Sequence, residues 1–183
     1  MALKSTIYKA QLQLADMDRH VYADHALTLA RHPSENEERL MMRVLAFALH
    51  VAADDAHGQL EFTKGLSDAD EPALWHKDLT GQLLHWIELG QPDERRLLKA
   101  AGRAERVTVI SYAASTPVWW GPLKGKLARA SNVTVWQVPA DQSQALAALA
   151  QRGMSLQVTV QDGIVWVGDG QRSVQIEPVK LTA

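Results

Sequence analysis

Two short Val-rich segments constrain the fold of this chain more than any other feature. They cover residues 107–112 and 133–138, and the helix-like stretch 119–129 lies between them. Two β-strands joined by one helix pair in parallel, with the helix crossing over one face of the sheet. Strands in such a sheet are covered on both faces, which suits segments this rich in apolar residues. The pattern therefore predicts an α/β unit with adjacent parallel strands.

The residues before this unit predict a helix, three strands and a second helix. Ser34 and Glu37 have the spacing of a capping box, and an apolar stripe at helical period follows, so we expect a helix at 34–53. Three short β-like runs come next, at 59–66, 73–79 and 83–89. Pro92 then favours the start of a helix that runs to Arg103, because proline at a first helical turn has no amide hydrogen to leave unpaired.

Strands are also predicted near both ends of the chain. Residues 4–15 and 21–29 alternate apolar and polar positions around a polar connection, as in a β-hairpin. Further along, Asp141 is expected to cap a short helix that reaches Arg152. Three runs typical of a β-meander follow, at 156–161, 164–168 and 173–177. Since no linker or repeat interrupts the pattern, the sequence predicts one α/β (α+β) domain over residues 1–183.

The composition excludes several classes of function. The 183 residues hold 19 Lys and Arg against 21 Asp and Glu, a formal net charge of −2, which argues against binding of nucleic acid by bulk positive charge. No cysteine occurs, so disulfides, thiolate nucleophiles and zinc–thiolate or iron–sulfur sites are excluded. No signal-peptide core or membrane-spanning apolar run stands out. We expect a cytoplasmic protein without membrane partners, and no feature indicates its oligomeric state.

Familiar catalytic motifs are absent from the sequence. Residues 121–126, GPLKGK, suggest a phosphate loop but lack its spacing and the Ser or Thr that follows its lysine. The seven histidines form no ligand pair at helical spacing, so they are expected on the surface or in the core. The nucleophile elbow of serine hydrolases, G-x-S-x-G, does not occur either.

The residues with the strongest potential for chemistry lie just ahead of the second helix. Glu88 is an acid in an otherwise apolar strand, where a buried carboxylate is costly unless it is paired or bound to a metal. An even-numbered turn between the paired strands puts Glu71 on the same face as Glu88, whereas an odd-numbered turn selects Asp70. Converging carboxylates suit a hard divalent cation that activates water or stabilises a phosphoryl oxygen. The alternative is a carboxylate that caps a turn or pairs with Arg95 or Lys99.

The chain resembles the YaeQ family of bacterial proteins over essentially its whole length. The resemblance is carried by ALKSTIYKAQLQLADMDRH at 2–20, YADHALTLARHPSE at 22–35, KDLTG at 77–81, WIELGQPDE at 86–94 and VGDG at 167–170, among other segments. That family is understood as a variant of the PD-(D/E)XK nuclease-like fold, whose core is an α-βββ-α-β unit. The resemblance therefore implies a restriction-endonuclease-like core at about 34–138, extended by the N-terminal hairpin and the C-terminal meander.

The resemblance also implies positions for an active site. The first acid of the superfamily motif falls on Asp70 or Glu71, and Glu88 takes the second acidic position. Gly90 stands where the superfamily has a lysine, so Lys99 on the following helix is the lysine expected to reach back toward Glu88. A polar contact beyond the strand and an acid on the first helix complete the set: Gln91 and Glu38.

Two functions follow from the resemblance. In the first, Asp70 or Glu71 and Glu88 hold Mg²⁺, which polarises a phosphodiester of nucleic acid and activates water, while Lys99 stabilises the charge that develops. Basic residues after Trp119 and Trp120 are the candidate phosphate contacts: Lys124, Lys126 and Arg129. In the second, the fold is non-catalytic and binds nucleic acid or a protein partner, in the regulation of transcription.

Overall fold

The computed structural model describes residues 4–183, which divide into two compact units. Residues up to 53 and residues 141–177 form the first unit. Residues 54–140 and 178–183 form the second. No helix in the described part of the chain is both long and apolar enough to cross a membrane.

The elements follow the predicted order through the middle of the chain. The α-helices are α1 (Glu37–His50), α2 (Glu94–Arg103), α3 (Thr116–Lys126) and α4 (Ala140–Ala147). The strands are β1 (Thr6–Asp16), β2 (Val21–Arg31), β3 (Gln59–Phe62), β4 (Leu74–Lys77), β5 (Leu83–Leu89), β6 (Arg106–Ser111), β7 (Val133–Gln137), β8 (Gly153–Gln161), β9 (Ile164–Gly168), β10 (Ser173–Ile176) and β11 (Val179–Lys180). From α1 to β7 this is the predicted α-βββ-α-β-α-β order, so the mixed α and β class is confirmed.

The first unit contains a five-stranded mixed sheet in the order β10-β9-β8-β1-β2. The predicted hairpin and meander are both present, as β1 with β2 and as β8, β9 and β10. Along β1, Tyr8, Ala10, Leu12 and Leu14 alternate into the core, because successive side chains of a strand point to opposite faces. The two predicted pieces meet where β1 runs parallel to β8, a pairing that the sequence analysis did not include.

The start of α1 corrects the predicted capping box. Asn36, not Ser34, is the N-cap, and its Oδ1 accepts a hydrogen bond from the backbone amide of Arg39 at 2.8 Å. The hydroxyl of Ser34 lies 2.6 Å from Nδ1 of His32 instead. Glu37 is the first helical residue and accepts from the hydroxyl of Tyr8. The cap therefore lies two residues later than predicted, at a residue type that caps helices as well as serine does.

The second unit contains a six-stranded mixed sheet in the order β11-β7-β6-β5-β4-β3. Strands β5, β6 and β7 are parallel, which confirms the α/β unit predicted from the two Val-rich segments. Helices α2 and α3 supply Leu97, Trp120 and Leu123 to a core that also contains Trp86 and Val109 of the sheet. All six tryptophans of the chain are buried or half-buried.

Two predicted boundaries in the second unit move because of local hydrogen bonds. Asp78 accepts from the backbone amides of Thr80 and Gln82, so β4 ends at Lys77 instead of at residue 79. Asp93 rather than Pro92 begins α2, since its Oδ1 accepts from the backbone amide of Arg96 at 2.8 Å.

The later helices also differ from the predicted ranges. Pro117 lies in the first turn of α3, so this helix starts at Thr116 rather than at residue 119. Asp141 lies within the first turn of α4 instead of capping it, and α4 ends at Ala147 rather than at Arg152.

Candidate functional site

The hairpin of β4 and β5 sets the position of the predicted acids. Leu74 pairs with Ile87 and Trp75 pairs with Trp86, which is the even-numbered register of the sequence analysis. Leu74 is the last paired residue, although the amide of Ala73 still donates to the carbonyl of Ile87 at 3.1 Å, and Pro72 before it has no amide hydrogen to donate. Glu71 therefore lies beyond the strand.

Glu71 does not join Glu88, and this corrects the expectation from the register. Its Oε2 accepts a hydrogen bond from the backbone amide of Lys64 at 2.7 Å, in an exposed turn. The backbone carbonyl of Glu71 accepts a hydrogen bond from Arg96, which is the partner of Glu88. Asp70 is exposed, with 81% of its side chain accessible to solvent.

Glu88 is a buried carboxylate with partners of its own. Its side chain is 8% exposed, and Oε1 accepts from Nε1 of Trp86 at 2.8 Å and from Nε of Arg96 at 2.7 Å. Both donors end on the same oxygen, so Oε2 accepts no hydrogen bond from the residues at 4–183. A buried carboxylate needs such a partner, because its desolvation is otherwise unfavourable by several kcal/mol.

Arg96 connects Glu88 to the chain that precedes β4. Its Nη1 donates to the backbone carbonyl of Ala69, and its Nη2 donates to the backbone carbonyl of Glu71 at 2.8 Å. The sequence analysis named the neighbouring Arg95 and not Arg96 as a partner for Glu88. The signal that identifies Arg96 is the N-cap at Asp93, because it fixes which face of α2 turns toward the sheet.

Lys99 lies one turn beyond Arg96 on the same face of α2, but it does not reach Glu88. Its Nζ is 3.6 Å from Oδ1 of Asp70, and both side chains are well exposed. Lys99 was predicted to reach Glu88, but it forms a surface ion pair with Asp70 instead. Such exposed pairs contribute little to stability.

Asp70, Arg96 and Lys99 border a cleft of about 310 Å³ beside α2 and the segment before β4. It is lined by Ala69, Asp70, Trp86, Asp93, Arg95, Arg96, Lys99, Ala100 and Arg103. Four cations thus face two carboxylates. Within the described residues, Arg95 and Arg103 form no ion pair with a carboxylate, and the guanidinium of Arg103 lies 5.1 Å from the ring centre of Trp86.

The donor set of this cleft does not fit Mg²⁺. A hard divalent cation takes six or more oxygen ligands, with carboxylates prominent among them. Glu88 is bound by a guanidinium, Asp70 by an ammonium group, and the side chain of Glu71 is directed elsewhere. Among residues 4–183, no three His, Cys, Asp or Glu side chains are grouped so that they could hold a metal ion.

Gly90 occupies the position where the resemblance implies a lysine. It has φ of +100°, a backbone conformation that side-chain-bearing residues rarely adopt. Its amide donates to the carbonyl of Ile110 at 2.9 Å, which keeps the end of β5 in the sheet. A lysine at this position would be strained, so the turn itself disfavours the usual motif.

The remaining predicted residues lie away from Glu88. Gln91 donates from Nε2 to Oγ of Ser115 at 2.9 Å. Glu38 belongs to the first unit, where its Oε2 accepts from Oγ of Ser143 at 3.1 Å. Lys126 pairs with Glu94 at 3.7 Å. The other two predicted phosphate contacts are exposed residues at the end of α3 and just beyond it: Lys124 and Arg129.

Known proteins match this chain along nearly its whole length. Residues 1–178 match the family model described as YaeQ protein. A relative named "Uncharacterized protein YaeQ" from Salmonella typhi is 44% identical, with 97% of this chain and 96% of that protein covered. The protein of the same name from Escherichia coli is 42% identical, with 100% and 97% covered.

Two crystal structures of YaeQ proteins have the same fold. The one from Xanthomonas axonopodis pv. citri has a TM-score of 0.91 and 47% identity, over 98% of this chain and 99% of that one. The one from Pseudomonas syringae has a TM-score of 0.90 and 40% identity, over 98% and 97%.

Proposed function

The chain belongs to the YaeQ family, and from that premise we propose that it binds the phosphodiester backbone of nucleic acid in the cleft beside α2, without hydrolysing it. The observation that carries the proposal is the unpaired charge of Arg95 and Arg103 in this cleft. The other two cations of the cleft, Arg96 and Lys99, are each neutralised by a carboxylate. Arg95 and Arg103 are not neutralised, so a phosphate is the expected partner for them.

The arrangement of these arginines supports a backbone rather than a single anion. They are eight residues apart on α2, a rise of about 12 Å along the helix axis. Successive phosphates of a strand in a duplex advance by about 3.4 Å, so several phosphates fit between the two guanidinium groups. Arginine presents a planar set of donors that matches a phosphate, and stacking on Trp86 limits the freedom of Arg103.

The net charge of −2 limits how strong this binding can be. Two free arginines make few phosphate contacts, so we expect weak, strongly salt-dependent binding of the sequence-independent kind. The buried ring of Trp86, 3% exposed, is not available for stacking on a base. Near the end of α3, Lys124 and Arg129 stay candidate phosphate contacts of the sequence analysis.

Binding without hydrolysis is favoured because Glu88 and Asp70 already have cationic partners. The elements from α1 to β6 follow the α-βββ-α-β order of the PD-(D/E)XK-like core that the family resemblance implies. This order supports our proposal that such a core is the framework of the cleft. On this view the protein is a non-catalytic nucleic-acid-binding member of that fold, and a transcription-related protein partner is the alternative.

Fluorescence anisotropy with labelled single-stranded DNA, double-stranded DNA and RNA tests the proposal. We expect binding that weakens between about 50 and 200 mM salt, with two fewer released counterions in the variant Arg95→Ala/Arg103→Ala. Lys9→Ala removes an exposed charge from β1 of the first unit and should leave binding unchanged. Equal affinities of the wild type and the double variant for all three probes would overturn the proposal and direct the search to a protein partner.

Mg²⁺-dependent hydrolysis stays a prediction of the sequence analysis, and the same labelled strands test it. With Mg²⁺ or Mn²⁺ present, we expect the strands to remain intact, because no described group of carboxylates suits the ion. Cleavage by the wild type that is lost in Glu88→Gln would establish the enzyme instead.

A further inference from the structure

Strand β10 lies at an edge of the sheet in the first unit, so it pairs with β9 on one side only. The backbone amide of Glu177, just past the strand, points away from β9, because it donates to Oε1 of Gln142 on α4 at 2.8 Å. Backbone groups alternate in direction along an antiparallel strand, so the amides and carbonyls of Ser173 and Gln175 also point away from β9. No residue of the described chain, 4–183, bonds these four groups. The edge is therefore free to pair with another strand.

A groove runs along this free edge, between β10 and α4. The bond from Glu177 joins the strand to the start of the helix, and at the other end Nη2 of Arg172 donates to the carbonyl of Ala148 at 2.8 Å. The helix is thus antiparallel to the strand. The groove has a volume of about 320 Å³, and each element contributes one apolar side chain to it, Ala145 and Val174.

The charge of this groove is negative. It is lined by the carboxylates of Asp141 and Glu177, and its described lining contains no Lys, Arg or His. Neither carboxylate forms an ion pair with a described residue, and Glu177 accepts only a neutral bond, from Nε2 of Gln175 at 3.1 Å. Both residues are exposed. The groove therefore favours a cationic ligand and repels the phosphates of nucleic acid.

We propose that the groove between β10 and α4 binds an extended peptide segment of a partner protein, and that this segment contains Lys or Arg. An exposed sheet edge takes up such a segment as an added strand, in which main-chain hydrogen bonds give affinity and alternate side chains give specificity. The added strand bonds the backbone of Ser173 and Gln175, and its basic side chain pairs with Asp141 and Glu177. The inference concerns the first unit and does not depend on binding of nucleic acid by the second.

A library of random seven-residue peptides displayed on phage, selected on the immobilised full chain, supplies the probe. We expect the selected peptides to be enriched in Lys and Arg at one position and in β-branched residues around it, because the segment binds as a strand. The most enriched peptide, made with a fluorescent label, is then titrated by anisotropy.

Gln175→Pro is the decisive variant. Proline is tolerated on an edge strand where its missing amide hydrogen faces solvent, so the fold and melting temperature should be kept. Peptide binding should weaken by at least about tenfold, because one main-chain hydrogen bond is lost and the proline ring blocks the approach of a strand. Gln175→Thr is the matched control, since it changes the side chain and keeps the amide, and it should bind as the wild type does.

The double variant Asp141→Asn/Glu177→Gln tests the charge of the groove. Binding of the basic peptide should weaken by about threefold to tenfold and become less dependent on salt, as expected for two exposed ion pairs. Asp24→Asn, which removes an exposed carboxylate from β2 at the opposite edge of the same sheet, should leave binding unchanged.

Hydrogen exchange of the Gln175 amide in the wild type decides the matter if Gln175→Pro unfolds. The bound peptide should slow this exchange, because the amide becomes a donor to the added strand. Selection of no peptide, selection without Lys or Arg, or a peptide that binds folded Gln175→Pro as tightly as the wild type would overturn the proposal. So would an exchange rate of the Gln175 amide that saturating peptide leaves unchanged.

Discussion

At the scale of single residues, the second unit solves two problems of buried polar groups in different ways. Glu88 keeps its charge and is matched by a guanidinium and an indole N–H. His85, three residues earlier on β5, loses its charge instead. It is buried, and its Nε2 lies 2.7 Å from Oγ1 of Thr108. Burial, with the positive charges of Arg106 and His76 nearby, lowers the pKa of His85 from 6.5 to about 4.

The neutral state of His85 predicts a specific loss of stability in acid. The unfolded chain takes up the proton near pH 6.5 and the folded chain only near pH 4, so the free energy of unfolding falls as the pH is lowered between these values. The contribution of this one residue is up to about 3 kcal/mol over the interval. Urea titrations of the wild type and His85→Gln at a series of pH values measure it.

In that series, the variant should show a shallower dependence on pH than the wild type between the two pKa values. His57→Gln, which changes an exposed histidine of the same unit, should keep the wild-type slope. Parallel profiles for His85→Gln and the wild type would show that His85 takes up its proton equally in both states.

At the scale of elements, the N-cap residue determines where a helix begins and therefore which way its side chains turn. Moving the start of α1 from Ser34 to Asn36 has a testable consequence for stability. Asn36→Ala removes the capping hydrogen bond to the amide of Arg39 and should lower the free energy of unfolding by about 1 kcal/mol. Ser34→Ala should change it by a few tenths at most, because its hydroxyl bonds only a partly exposed histidine.

Urea denaturation followed by circular dichroism distinguishes these two variants. A larger loss for Ser34→Ala than for Asn36→Ala would restore the predicted capping box. Loss of a cap leaves the surface exposed on unfolding unchanged. The urea midpoint should therefore shift, while the slope of the free energy of unfolding against urea concentration stays the same.

The same kind of boundary explains how far the candidate site could be predicted from the sequence. The register at Leu74 and Trp75 is one of the two alternatives that the sequence left open, and because the pairing shifts between His76 and Lys77, the length of the turn alone does not determine it. The acid on β5 was identified, because one charge in an apolar strand stands out. The partner of Glu88 was not, because each residue of a helix is rotated by about 100° from the last and a start shifted by one residue exchanges Arg95 for Arg96.

Residues just outside an element were the least predictable. Alternation assigns a face to Glu71 only while the strand continues, and the strand begins at Leu74. Before that point the backbone amide of Lys64 competes for the carboxylate, and no local pattern in the sequence reports that contact. The positive φ of Gly90 is likewise a property of the turn, which the sequence shows only as a glycine two residues before a proline.

At the scale of the whole chain, the first unit depends on strands from opposite ends of the sequence. The parallel pairing of β1 with β8 lies between the N-terminal hairpin and the C-terminal meander, so it joins both halves of the five-stranded sheet. The sequence predicted each half but not their junction, because a parallel pairing over such a distance leaves no local signal. An isolated two-stranded hairpin is only marginally stable in water, so the junction is what makes this sheet a stable structure.

Truncation at two positions tests that dependence. A chain that ends at residue 152 lacks β8, β9 and β10, so β1 loses its parallel neighbour and the buried Leu12 loses its partner Leu156. We expect its amide resonances for β1 and β2 to collapse into the narrow range of an unfolded chain. A chain that ends at residue 177 loses residues 178–183 of the second unit, including β11, and should keep the β1 and β2 resonances dispersed. If the shorter chain retained the dispersed resonances of β1 and β2, the hairpin would be stable alone, and the pairing with β8 would be a consequence of folding rather than its requirement.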